Sequence, residues 1–190
     1  MSYKLLYDHC QILTPKISRR DIRAKSLELT GIPVIKHCIN SMDVNVCRGM
    51  YLTPKNDASK IVSNIGKHVI VTARGLNYCW ERFVYVKELM HVFGGMNDAT
   101  DSGDKFEILL NEFSNPSNTP SESMKSEIDA FWMALGVLCP ETKRQEFLRK
   151  RVANEIDDYS IACTLRIPEE YVPQLFVTSY LKIMDSLKSK

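Results

Sequence analysis

The stretch that decides the fold is Arg82-Phe83-Val84-Tyr85-Val86-Lys87-Glu88-Leu89-Met90-His91-Val92-Phe93. Most of it is apolar, and residues three or four positions apart lie on the same face of a helix. Lys87 and His91 therefore point the same way, with Glu88 beside them. Because a buried charge is costly unless it is paired, the stretch predicts a buried helix that carries a paired polar cluster.

The cluster has the spacing of H-E-x-x-H, with Lys87 at the first position. In that motif two histidines on one face of a helix hold zinc, and the glutamate takes a proton from the zinc-bound water. By this spacing His91 would be a metal ligand and Glu88 the general base. Such a string also arises on ordinary helix faces, so the interpretation depends on the rest of the chain.

Length and composition are those of a globular protein. The 190 residues, 44% apolar and 25% charged, fit a single domain over 1–190 with a sizeable core. A net charge of +2 gives no bulk electrostatic case for binding nucleic acid. We see no signal peptide, and no stretch approaches the roughly 20 apolar residues that span a bilayer. We therefore expect a cytoplasmic protein with no membrane segment.

The six cysteines are scattered and form no C-x-x-C pair, so we interpret them as reduced thiols that mostly fill the core. They are Cys10, Cys38, Cys47, Cys79, Cys139 and Cys163. Two adjacent pairs, His9-Cys10 and His37-Cys38, also combine metal-ligand residue types. Neighbouring residues rarely share one metal well, and no further spacing supports a site there.

Periodicity and capping signals predict a mixed helix and strand content. Helices are predicted over 3–13, 19–30, 33–42, 79–93, 105–113, 124–138, 141–156 and 174–187. Strands are predicted over 44–53, 60–63 and 68–73, the last being the richest in β-branched residues. Residues 1–18 form an N-terminal helical extension, and 161–175 follows a helix, turn, helix pattern. The polar, Pro-broken tract 114–123 is interpreted as a mobile loop, a lid or a solvated linker.

Two of these helices resemble one family. Arg82-Phe83-x-x-x-Lys87-Glu88-Leu89-x-His91 resembles the R-F-x-x-A-H-E-L-G-H helix of ImmA/IrrE-type metallopeptidases. Glu127-x-Asp129-Ala130-x-x-Met133-Ala134-x-x-Leu138-Cys139-Pro140 resembles that family's E-x-E-A-N-x-F-A-x-x-L-L-M-P helix. The resemblance covers about residues 20–177. It implies an α+β fold in which a small antiparallel or mixed sheet packs against a zincin-like motif helix and a C-terminal helical bundle over 157–190.

The resemblance also implies roles for individual residues. By position His91 matches a zinc ligand, Glu88 the general base and Asp129 the third ligand, with Glu127 as the near alternative. Lys87 falls where the family has its first zinc ligand, and its ammonium has no lone pair near neutral pH. We therefore predict an incomplete, metal-free site in which Lys87 pairs with Asp129 and Glu88, with His91 as a hydrogen-bonding neighbour. The alternative is that Lys87 extends to solvent.

The leading prediction is thus a catalytically inactive ImmA/IrrE-like protein with no cofactor. Active members of the family cleave helix-turn-helix repressors, often encoded by mobile elements such as phages. A pseudo-peptidase of this kind would bind such a repressor without cutting it.

Three other functions stay open. An active zinc-dependent endopeptidase would need a replacement ligand, for which His68 and Cys79 lie just before the motif helix. A DNA-binding regulator would use 157–177, but its second helix would begin with two acids and no base, which opposes phosphate contact. Finally, the chain can be an ordinary α+β domain whose motif match is coincidental.

Overall fold

The structure, a computed structural model, describes residues 3–13, 17–33, 35–54, 60–65, 67–94 and 120–190, which form eight α-helices and a three-stranded mixed sheet. The helices are α1 (Tyr3–Gln11), α2 (Arg19–Thr30), α3 (Lys60–Ile65), α4 (Tyr78–Met90), α5 (Glu122–Leu138), α6 (Glu141–Val152), α7 (Asp158–Leu165) and α8 (Tyr180–Lys188). The strands are β1 (Ile35–Asn40), β2 (Gly49–Leu52) and β3 (His68–Ala73). The α+β class and the mixed sheet expected from the sequence are confirmed.

Strand β3 is the centre of the sheet. It pairs with β1 in parallel, with Ile35 opposite His68, and with β2 in antiparallel, with Gly49 opposite Thr72. Because successive side chains of a strand point to opposite faces, β3 serves two apolar layers. Val69 and Val71 belong to a small cluster on the α3 side, and Ile70 belongs to the main core.

Helix α4 lies between the sheet and α5, and it contacts β2, β3 and α5. Asn77 caps its first turn by accepting a hydrogen bond from the Trp80 backbone N–H at 3.0 Å. From Arg82 to Met90 only Lys87 is not buried, and the chain continues as a 3-10 turn over His91–Phe93. The predicted buried helix over 79–93 is confirmed, with its final turn tightened.

A glycine allows β2 to lie directly against α4. A Cβ atom placed on Gly49 would overlap Val84 Cγ1 and would come within 3.1 Å of the Val71 carbonyl oxygen and 3.3 Å of Glu88 Cγ. No side chain fits there without displacing α4 or the sheet. Gly49 therefore sets how closely the sheet approaches the helix face that carries Glu88.

Arg82 ties α4 to two distant parts of the chain. Its guanidinium is buried and donates to the carbonyl oxygens of Ile17 at 2.7 Å, Leu165 at 2.8 Å and Arg166 at 3.3 Å. Leu165 and Arg166 end α7, where backbone carbonyls have no intrahelical donor. Burial lowers the pKa of Arg82. The arginine thus replaces the missing donors and fixes α7 against α4.

The first and last helices complete the main core. Helix α1 packs against α5, α2 and α8, and the close approach of α1, α5 and α8 occurs at Gly136. A Cβ atom there would lie 2.8 Å from Met184 Sδ and 3.3 Å from Tyr7 Cδ2.

Among the described residues, none of the helices combines the length and apolar character needed to cross a membrane.

Three predicted elements are wrong. The helix predicted over 33–42 is the edge strand β1, because the backbone groups of this segment pair with β3. The strand predicted over 60–63 is helix α3. The second helix expected before Leu175 is replaced by two 3-10 turns, Glu169–Tyr171 and Pro173–Phe176. The prolines at 168 and 173 provide no backbone N–H and oppose a continuous α-helix there.

Other predictions are confirmed or lie outside the described residues. Ser18 caps α2 through the Asp21 backbone N–H at 3.0 Å, and Gly31 ends that helix with a φ of 68°. Helix α6 ends at Val152, four residues earlier than predicted, and Val152 is 77% exposed. The helix predicted over 105–113 and most of the 114–123 loop are outside the described residues, and Glu122 already belongs to α5.

Candidate functional site on helices α4 and α5

Four polar side chains meet where α4 and α5 face each other. Lys87 and Glu88 come from α4, His91 from the 3-10 turn that follows it, and Glu127 from α5. Glu88 is 3% exposed and His91 7% exposed. Water therefore screens this cluster poorly, and its charges must be balanced by one another.

Lys87 joins the two carboxylates. Its Nζ donates to Glu88 Oε1 at 3.0 Å and also to Glu127 Oε2. The side chain does not turn out to solvent, because four-fifths of it is covered. The ammonium thus occupies the space between two acids that lie 39 positions apart in the sequence.

His91 lies on the other side of the same carboxylates. Its Nε2 is 3.4 Å from Glu127 Oε1 and 3.6 Å from Glu88 Oε2. Its Nδ1 is hydrogen-bonded with Ser126 Oγ at 3.2 Å, which orients the ring. Within the described part of the chain the buried Nε2 has no partner of hydrogen-bonding geometry. Each carboxylate is therefore shared between the lysine and the histidine.

The charge interactions inside the cluster shift the pKa values of Glu127 and Lys87 in the direction opposite to burial, and their effect is the larger one. Burial by itself raises the pKa of Glu127, but Lys87 and His91 hold the net value well below its usual range. Burial by itself lowers the pKa of Lys87, but the charges of Glu88 and Glu127 raise it above its usual range. Both groups are consequently in their charged forms across the neutral range.

These shifts predict an acid limb in the stability profile. A carboxyl whose folded pKa is depressed contributes fully above its ordinary value of 4.5 and loses that contribution as pH falls toward the folded value. Between pH 5 and pH 2 the native protein should lose on the order of 2 kcal/mol more unfolding free energy than Glu127→Gln does. Urea unfolding across this pH series measures it.

The matched control for this prediction is Glu122→Gln, since Glu122 lies on the same helix with its side chain 73% exposed. Its acid limb should overlay that of the native protein. An acid limb unchanged by Glu127→Gln would contradict the charge balance described for the cluster. On the alkaline side, the raised pKa of Lys87 places the loss of its contribution above its ordinary value of 10.5.

An aromatic side chain from β2 lies against the cluster. The Tyr51 ring stacks on His91 with centroids 6.3 Å apart, and on His68 with centroids 5.7 Å apart. The Tyr51 hydroxyl and His68 Nδ1 are hydrogen-bonded at 2.6 Å. Burial raises the pKa of Tyr51 and lowers that of His68. Tyr51 therefore separates His68 from the cluster and holds the His91 ring from one side.

The segment that leads into β2 also brings a thiol near the cluster. Cys47 donates to the Gly49 carbonyl oxygen at 3.2 Å. Burial, and then the negative charge of Glu88, raise the pKa of this thiol. Cys47, Tyr51 and Ser126 were not singled out from the sequence, since none belongs to the motif and each arrives from another part of the chain.

The structure brings together Lys87, Glu88 and His91 as the sequence predicted, but it places Asp129 elsewhere. Asp129 pairs with Lys190 at the surface, and the acid that reaches Lys87 is Glu127. Residues two positions apart on a helix point in directions about 200° apart, so both acids cannot face α4. The predicted Lys87–Asp129 pair is therefore corrected to Lys87–Glu127.

The other candidate ligands lie apart from this cluster. His68 faces the Tyr51 hydroxyl, and Cys79 lies in the first turn of α4. His37 Nε2 is hydrogen-bonded with Thr72 Oγ1 at 2.9 Å, and Cys10 is buried in the core. Among the residues described, Glu88, His91 and Glu127 form the group whose donor atoms could hold a metal ion.

Some features of this group suit zinc and others oppose it. The three donor atoms lie within 4.8 Å of one another, and the buried Nε2 of His91 suits a ligand. The ammonium of Lys87 does not suit a metal centre, because it bonds the same carboxylates and would repel a divalent cation placed between them. As the native chain stands, the cluster fits its internal ammonium better than a catalytic zinc.

In comparisons with known proteins, no family model, no curated protein and no solved structure matches this chain. The site is therefore interpreted from its own geometry.

Proposed function

We propose that the protein is a catalytically inactive, metallopeptidase-like protein that acts by binding a protein partner. In this proposal Lys87 replaces the metal of a peptidase site, and the remaining acid and histidine groups hold α4 and α5 together. The observation that carries it is the pairing of the half-buried Lys87 ammonium with both Glu88 and Glu127. A hydrolytic zinc site needs an open coordination position for water, and a lysine bonded to two of three donors opposes that arrangement.

The partner class follows from the resemblance to ImmA/IrrE-type peptidases. Because active members cleave helix-turn-helix repressors, the partner proposed for this chain is a repressor of that kind, bound and left intact. Direct contact with DNA is a weaker alternative. The segment after α7 forms 3-10 turns with Glu169 and Glu170 in the first of them, and negative charge there opposes phosphate contact.

The metal part of the proposal is tested by elemental analysis of untagged protein. We expect the native chain to contain zinc well below stoichiometry. Lys87→His removes the ammonium and adds a donor one helical turn before His91, so we expect it to take up about one equivalent of zinc. The double variant Lys87→His/Glu127→Gln is the matched control, and it should lose most of that zinc.

Stoichiometric zinc in the native protein that disappears in Glu127→Gln would overturn the proposal. It would support the second candidate, a zinc-dependent endopeptidase. One observation favours this candidate, namely the buried and unpartnered Nε2 of His91, which faces two carboxylates within the described part of the chain. In that case Glu88→Gln should abolish cleavage of a repressor.

The partner is tested by mixing the protein with purified helix-turn-helix repressors and following the mixture by size exclusion and electrophoresis. The expected result is co-elution with an intact repressor, whether or not zinc is added. Repressor fragments that appear with the native protein would contradict the inactive site. Intact repressors that never co-elute would remove the partner class while leaving the metal result unaffected.

A further inference from the structure

A group of basic side chains lies where α2 meets the edge strand β1. Arg23 Nη2 donates to the Ile35 carbonyl oxygen at 2.8 Å, which joins the helix to the strand. Arg19 lies one helical turn before Arg23, on the same face of α2. His37 follows Ile35 by two residues, so its side chain lies on the same face of β1. Arg19, Arg23 and His37 therefore form one group, the α2–β1 junction.

The ring of Tyr85, a buried residue of α4, lies against two members of this junction. The Arg19 guanidinium is 4.8 Å from the centre of the ring, and the His37 ring is 5.0 Å from it at an angle of 75°. His37 Nε2 is hydrogen-bonded with Thr72 Oγ1 at 2.9 Å, and its Nδ1 has no hydrogen-bond partner among the residues that the structure describes. One ring nitrogen thus fixes the imidazole, and the other is left for a ligand.

Arg23 carries the charge that this junction does not balance. Arg19 is paired with Glu81 at 2.7 Å, which accounts for one cation. Arg23 forms no ion pair with any carboxylate in the described ranges, and its buried Nε has no acceptor there. Buried N–H groups without an acceptor are rare in folded proteins, and a bound water or ion is one explanation for them. Here the unbalanced charge and the unsatisfied donor both indicate an anion.

Solvent reaches the junction from one side. The Arg19 side chain is 39% exposed, His37 is exposed and Arg23 is half-buried. Burial, and then the charge of Arg19, lower the pKa of His37, so its imidazole is neutral at neutral pH. The junction therefore offers an excess guanidinium and a neutral hydrogen-bonding ring to a ligand that arrives from solution.

We propose that the α2–β1 junction binds a phosphate group. Arg23 would donate to two phosphate oxygens through Nη1 and the remaining N–H of Nη2, because the end of a guanidinium is a planar fork that matches them. His37 Nδ1 would donate to a third oxygen. Since these donors come from a helix and from a strand, a tetrahedral phosphate uses more of them than a planar carboxylate does. This inference does not depend on the proposed function.

The test titrates the full-length native protein with inorganic phosphate, replacing chloride at constant ionic strength, and follows it by two-dimensional amide NMR. We expect saturable shifts in the millimolar range at the backbone amides of Arg23 and His37 and at the Arg23 side-chain Nε–H. Because the native chain is used, this result does not rely on the folding of a variant. Sulfate should shift the same signals, and acetate should bind about tenfold more weakly.

Arg23→Gln should weaken phosphate binding by about tenfold or more, because a charge-assisted pair of hydrogen bonds is lost. Lys36→Gln is the matched control. It removes the same charge from the adjacent exposed position of β1, whose side chain points to the opposite face of the sheet, and it should change binding by less than about twofold. Phenyl phosphate that binds as well as inorganic phosphate identifies a phosphate monoester as the ligand, and binding of the inorganic ion alone identifies free phosphate.

Three results would overturn the proposal. Small shifts that never saturate and are spread over the lysines and arginines would mean general screening of charge. Saturable binding that Arg23→Gln leaves unchanged would place the anion elsewhere. Acetate that binds as tightly as phosphate would replace the phosphate by a carboxylate ligand. A native-like amide spectrum of Arg23→Gln secures the comparison between the two chains.

Discussion

Replacing Lys87 with methionine should destabilise the protein by about 3–5 kcal/mol at neutral pH, because removal of one partner leaves buried charges uncompensated. Methionine keeps the length and apolar stem of the lysine, so the lost element is the ammonium. Glu88 and Glu127 would then face each other across a poorly solvated space with His91 as their remaining neighbour. Equilibrium urea unfolding at pH 7 measures the loss.

The pH dependence of this variant separates electrostatics from packing. Without Lys87 the two carboxylates repel, so each binds a proton more readily in the folded state than in the unfolded one, and the deficit should shrink as pH falls toward 5. Lys87→Met/Glu127→Gln should recover much of the stability at pH 7. Lys125→Met, on an exposed lysine of α5, should behave like the native protein. A deficit that is constant with pH would contradict the charge account.

Replacing Arg82 with methionine should cost a similar amount, about 3–5 kcal/mol, since two buried carbonyl oxygens and one half-buried carbonyl oxygen would lose their donors at once. The carbonyl oxygens of Ile17 and Leu165 would remain buried without the guanidinium, and that of Arg166 would remain half-buried. The ends of two distant segments would lose their attachment to α4 together. Urea unfolding should show the lower free energy of unfolding. Hydrogen exchange should be faster across α7.

The size of the effect should depend on donor number and geometry more than on charge. Arg82→Lys keeps the charge but supplies one ammonium in place of a fork of N–H groups, so it should recover only part of the stability. Arg149→Met, at an exposed position of α6, should stay within about 0.5 kcal/mol of the native protein. Full recovery of stability in Arg82→Lys would contradict this account, because it would show that the charge alone is sufficient.

The elements that the sequence predicted well carry their own local signals. Helix α2 has Ser18 to begin it and Gly31 to end it, and strand β3 is rich in β-branched residues that fit a central position. The misassigned elements are those whose state is decided by neighbours. The short apolar segment of β1 becomes a strand because β3 lies next to it, and no periodicity within six residues distinguishes the two possibilities.

In the candidate site too, the residues with local signals were predicted and those brought by distant segments were not. Lys87, Glu88 and His91 lie within five consecutive residues of α4 and the turn that follows it, so their spacing alone predicted that they would meet. The acid from α5 was assigned to Asp129 by its position in the motif, whereas Glu127 is the acid that faces α4. Glu127 lies three residues after Met124 and seven residues before Ala134, and both of these are buried. This spacing places Glu127 on the buried face of α5, which was the signal available in the sequence. Tyr51 arrives from β2, and nothing near the motif could indicate it.

The parallel pairing of β1 with β3 has a consequence for the order of events during synthesis. Ile35 pairs opposite His68, so β1 leaves the ribosome well before its partner strand and cannot dock until the crossover that contains β2 and α3 has followed. Lys87 emerges next to Glu88, but Glu127 is still to be made. The polar cluster on α4 therefore stays hydrated until α5 has been made, so its closure follows the formation of α4.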